Sequence, residues 1–148
     1  MLFRSIRFLA HTTQAWEFSE PDFFQVTGTG GTGASTVFTL ATQMIETEYD
    51  PSHYNIYFFY ASDGDNFTED RNAAMNALTR VASLVNFIGY VETVPGSSRV
   101  TETEMHMICN QLEQSGASLG SCVLNQPEDV WKAIRKFFVH KIAETENF

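Results

Sequence analysis

The stretch from Tyr54 to Asn66, YNIYFFYASDGDN, decides how this chain is read. Residues 54–61 are rich in aromatic and branched side chains at successive positions, so both faces are apolar, as in a strand covered from two sides. The character then reverses. Asp63 and Asp65 follow immediately, with Glu69 and Asp70 close behind. In an open α/β sheet, ligands sit at the carboxyl ends of parallel strands, which is where this reading places the acids.

Working outward, "TEDRNAAMNALTRVASLV" has helical periodicity, with Thr68 as its expected N-cap and Glu69 and Asp70 in its first turn. "NFIGYVETV" reads as the next strand, and "TETEMHMICNQLEQSG" as a helix capped at Thr101 or Thr103. "ASLGSCVL" reads as a last strand and "QPEDVWKAIRKFFVHKIAE" as a closing helix with Pro127 near its start. On the other side, Val37, Leu40, Ala41, Met44 and Ile45 follow the i, i+3, i+4 rule, so a helix begins near Ser35 and stops at Asp50-Pro51. "LFRSIRFLAH" and "HTTQAWEFSE" read as a strand and its hairpin partner, "PDFFQV" carries no clear signal, and "PGSSRVTE" reads as an exposed loop. Strands alternating with helices predict a three-layer α/β/α sandwich with a mostly parallel, Rossmann-like sheet.

The 148 residues suit one domain, 1–148, and 43% hydrophobic with thirteen Phe is ample for a core. The net charge of −9 argues against nucleic acid or an anionic membrane as partner. Cys109 and Cys122 form no CxxC, which fits two reduced thiols. No apolar run approaches the roughly 18 residues of a membrane helix. Arg4 and Arg7 interrupt any signal-peptide core, so a cytoplasmic protein is expected.

Two motifs compete for the site. Gly28, Gly30 and Gly33 satisfy GxGxxG, but no clear strand leads into them. A P-loop would need Lys where Ala34 stands, which leaves glycines that allow tight turns before a helix. The acidic loop is not an EF-hand, because Phe67, Thr68 and Ala74 occupy a ligand, the turn glycine and the bidentate Glu positions. Acids on such a loop more often cap a helix than act as an acid/base pair. A hard cation takes hydroxyl and carboxylate oxygens, and Thr32 and Asp63 offer one of each on loops that both feed helices.

Taken together and in order, "HTTQAWEFSEPDFF", "GTGGTGAST" and "YNIYFFYASDGDN" resemble the bacterial YeaH/YhbH family, whose members carry a von Willebrand factor A-like domain. The resemblance is strongest from Arg7 to Glu92. It implies a metal-ion-dependent adhesion site holding magnesium, with Thr32 and Asp63 as ligands, Ser62, Asp65 and Asn66 in an outer shell, and Gly30, Gly31 and Gly33 shaping the glycine loop. The family's D-x-S-x-S segment occurs nowhere in the sequence, so a partial domain, incomplete at its N-terminus, with weak magnesium binding is expected. The resemblance further implies a non-enzymatic protein-interaction module that works with a PrkA-type serine protein kinase or a SpoVR-type protein in bacterial stress response or sporulation. The alternative is an enzyme binding a nucleotide or phosphate at Gly28–Ser35. Without the missing strand, the first strand is expected either to pair with "YNIYFFYA" or to leave edges through which two chains exchange strands as a homodimer.

Overall fold

The computed structural model describes residues 5–28, 30–94 and 102–142, the last three as backbone only. Strands β1 (Phe8–His11) and β2 (Ala15–Phe18) form an antiparallel hairpin, followed by the one-turn helix α1 (Glu20–Phe23). Ser19 caps α1 by accepting from the Asp22 amide, and Pro21 sits in its first turn, so "PDFF" becomes helical despite its weak signal. Then come α2 (Ala34–Glu48), β3 (Tyr57–Ser62), α3 (Arg71–Leu84), β4 (Phe87–Thr93), α4 (Glu104–Gln114), β5 (Leu119–Leu124) and α5 (Val130–Arg135), which runs on as a π-helix, Lys136–Ile142.

The sheet order is β3-β4-β5, all parallel, with Tyr57 opposite Phe87 and Ile88 opposite Leu119. Parallel neighbours require long crossovers, and α3 and α4 supply them. The fold is therefore mixed α/β, with a small parallel sheet beside a separate two-stranded hairpin.

Period-two alternation assigns the two faces. Phe58, Tyr60, Ile88, Tyr90 and Leu119 pack with Val37, Phe38, Leu78, Val81, Ile108 and Leu112 of α2, α3 and α4. Phe38 is fully buried and meets Phe58 and Tyr60 edge-on, at 6.0 and 5.0 Å between ring centres. The opposite face gathers Phe87, Tyr57, Val91, Cys122 and Leu124 around Ala133 and Phe137 of the last helix. Burial from both sides explains why β4 reads Phe-Ile-Gly-Tyr without polar interruption.

Two expectations need correcting, and a third is not tested. β1 does not pair with β3: among the described residues its partner is β2, while β3 pairs with β4. The hairpin instead joins the body through α2, with Arg7 bridging Glu17 of β2 and Glu48 of α2, and through a side-chain bond from His11 to Tyr60. Thr68 caps nothing, because residues Thr68–Asp70 form a 3-10 turn and α3 starts at Arg71 with no side-chain cap. The segment "PGSSRVTE" lies outside the described residues except for Glu102.

Candidate functional site

The glycine loop and the acidic loop meet at the carboxyl end of β3. Gly33 is the N-cap of α2 and has no side chain with which to satisfy the first helical amides. The acidic loop does this instead. Asn66 Oδ1 accepts from the Ala34 amide (2.8 Å), Asp70 Oδ2 accepts from the Ser35 amide (3.0 Å), and Asp70 Oδ1 accepts from the Ser35 hydroxyl. The Phe67 amide donates back to the Thr32 carbonyl at 2.9 Å. A carboxylate at a helix N-terminus is also favoured by the helix dipole.

The other flank of the loop is held by α4. Gly64 adopts φ +92°, in the left-handed region, and a Cβ there would stand 2.6 Å from Thr103 Cγ2. Thr103 caps α4 by accepting from the His106 amide and donates to the buried Glu92 carboxylate at 2.7 Å; Tyr90 also donates to that carboxylate, at 2.6 Å. Met105 donates its amide to the Gly64 carbonyl at 3.1 Å. The acidic loop is thus clamped between the N-termini of two helices.

Within the loop, Ser62 Oγ accepts from the Gly64 amide and Asp63 Oδ1 from the Asp65 amide, at 2.9 and 3.0 Å. Gly30, Gly31, Thr32, Asp65, Asn66 and Phe67 line a cavity of about 240 Å³. A Cβ at Gly31 would fall 1.8 Å from the tip of the exposed Phe67 ring, so a larger residue there requires that ring to move. Gly33 donates its amide to the Thr12 carbonyl, which ties the loop to the hairpin. Thr32, Asp65 and Asn66 are therefore brought together, whereas Asp63 is exposed one turn along and does not line the cavity.

Behind the site, His11 Nδ1 lies 3.2 Å from the Thr12 carbonyl, which can only accept, so Nδ1 carries the proton and Nε2 accepts from the Tyr60 hydroxyl at 3.0 Å. Burial holds the His11 pKa below its usual value and raises that of Tyr60. Burial likewise pushes the Cys109 thiol up to about 12, so it stays an inert packing group.

The sequence draws attention to Asp70 and to His11 as a hydrogen-bonded histidine near the rim, but not to their partners Ser35 and Tyr60, which lie 35 and 49 positions away. The donors Thr32, Asp63 and Asp65 are all hard oxygens, the chemistry that suits magnesium. Among the described residues, no three His, Cys, Asp or Glu side chains converge as a metal set. Asn66 Nδ2 is buried without a hydrogen-bond partner among the described residues, although Asn66 is one of the residues that line the cavity. No helix among the described residues is long and apolar enough to cross a membrane.

A family profile described as "Protein of unknown function (DUF444)" matches residues 4–141. The chain is 35% identical over 129 residues to a UPF0229 protein of Ruminiclostridium cellulolyticum, covering 87% of this chain and 32% of that protein. It is 33% identical over 140 residues to one of Clostridium perfringens, covering 95% and 35%, and 35% identical over 133 residues to one of Halalkalibacterium halodurans, covering 90% and 33%. The chain spans about a third of the length of these curated relatives.

Proposed function

The chain belongs to the DUF444 family, and from that premise we propose that it is a von Willebrand factor A-like, metal-assisted protein-interaction module of the YeaH/YhbH type. In this reading the layers around the parallel sheet are those of an A-like three-layer sandwich, and the adhesion site lies where the glycine and acidic loops meet. The observation that carries it is the locking of those two loops, through Asn66, Asp70 and the Thr32–Phe67 backbone bond, into one oxygen-rich rim. In this reading Thr32, at the cavity wall, and Asp63, outside the cavity on the exposed edge of the same rim, hold a magnesium ion between them, with Asp65 and Ser62 contacting its waters.

When bound, the cation supplies an electrophilic position for an acidic partner side chain. It offsets repulsion between that side chain and a surface whose net charge is −9. With two protein ligands, the affinity for magnesium alone is weak. The proposed setting is the cytoplasm, with a PrkA-type kinase or SpoVR-type protein as partner.

The phosphate-binding alternative has less support. A phosphate would need the free amides at the start of α2, and those of Ala34 and Ser35 are already bonded, one of them to the Asp70 carboxylate. Thermal stability with added magnesium or nucleotide separates the two readings. Magnesium stabilisation that disappears in Asp63→Ala supports the adhesion site, and nucleotide stabilisation that survives Asp63→Ala supports the alternative.

A further inference from the structure

Among the described residues, one face of the sheet is covered by three helices and the other by the last helix alone. That helix buries Ala133 and Phe137 but leaves Val130, Trp131, Ile134 and Phe138 exposed, at 43, 67, 40 and 52%. Val130, Trp131 and Ile134, at i, i+1 and i+4 of α5, share one stripe, and Phe138 follows four residues further on in the π-helical continuation. Phe59 of β3, 46% exposed, stacks on Phe138 at 5.6 Å between ring centres. The stripe therefore continues onto the sheet and forms an apolar angle between helix and strand, not a scatter of single side chains.

The charge around this angle is opposite to that of the rest of the chain. Residues 130–139 contain Lys132, Arg135 and Lys136, three of the nine basic residues, and none of the eighteen acidic ones. Lys132 is paired with Asp129, and Lys136 donates to the Ser121 carbonyl. Arg135 is exposed and has no partner among the described residues.

We propose that this angle is the docking site for an acidic amphipathic helix of a partner protein. Apolar side chains of the partner at i, i+3, i+4 and i+7 lie between the stripe and Phe59, with Trp131 as the anchor, and its Asp and Glu side chains meet Arg135. A second copy of this chain suits the site poorly, because a two-fold contact would set the basic flank against itself. The proposal is independent of the metal rim, which lies at the carboxyl end of β3.

The test is a displayed library of helical peptides with leucines fixed at i, i+3, i+4 and i+7 and flanking positions randomised. Selection against the full chain should enrich Asp and Glu on one flank. Binding of a selected peptide, read by fluorescence anisotropy, should weaken at least tenfold in Trp131→Ala and in Phe59→Ala. It should weaken severalfold in Arg135→Glu, a surface change that leaves the core intact, and stay unchanged in Asp63→Ala. Peptides without acidic bias, or affinity indifferent to both Trp131→Ala and Arg135→Glu, would overturn the proposal. So would self-association abolished by Trp131→Ala, or Trp131-dependent sedimentation with phosphatidylserine vesicles.

Discussion

Asp70→Ala removes the contact that joins the two loops most directly. The Asp70 carboxylate accepts both the amide and the hydroxyl of Ser35 at the first turn of α2, a helix of fifteen residues whose own N-cap is a glycine. Loss of a side-chain cap costs about 1 kcal/mol. Loss of a carboxylate from a helix N-terminus costs roughly 0.3–1 kcal/mol more. The two overlap with the value of a charge-assisted bond, about 1.5–3 kcal/mol, so the expected destabilisation is about 2 kcal/mol. For a chain of this size that lowers the melting temperature by about 4–8 °C. Urea titration should show a lower midpoint at an unchanged slope. A double-mutant cycle with Ser35→Ala should return a coupling of about 1 kcal/mol, because each change removes the same contact. Asp70→Asn, which keeps one acceptor, should fall between. A loss within the roughly 0.5 kcal/mol of an ordinary surface change would refute the cap and with it the joining of the loops, and strict additivity with Ser35→Ala would refute the hydroxyl bond.

Other outcomes follow from the same geometry. Magnesium at 10 mM with a dissociation constant of about 1 mM should add about 1.4 kcal/mol of stability, seen by differential scanning fluorimetry and lost in Asp63→Ala. Tight stoichiometric binding would contradict a two-ligand site. Gly64→Ala should cost about 1–3 kcal/mol in urea titration, since φ is +92° and Thr103 already occupies the space. The His11 pKa lies below its usual 6.5, so the unfolded chain takes up that proton first. Stability is then unaffected above pH 6.5, falls as pH drops from there toward the folded value, and levels off below it. His11→Gln should flatten that part of the stability–pH curve.

Much of the fold was legible because it is local. The apolar run before Asp63, the periodicity of α2, the strand at β4 and the cap at Thr103, one of two candidates, all follow from neighbours in sequence. Asp70 was read as an acid in the first turn of its own helix, a local rule overridden by a partner 35 residues away. Phe67 was read as a failed metal ligand, whereas its ring occupies the space that Gly31 leaves open. The β1–β2 hairpin is local and legible, whereas the expected pairing of β1 with β3 joins strands distant in sequence, and periodicity carries no information about which edge a strand chooses.

The most direct test of the metal rim is manganese titration of isotope-labelled protein followed by NMR. Substoichiometric manganese should broaden the amide signals of Gly31, Thr32, Asp63 and Asp65 first, and Asp63→Ala should abolish that selectivity. Broadening spread over the surface carboxylates, with Thr32 and Asp63 no more affected than Glu46 or Glu48, would contradict the account.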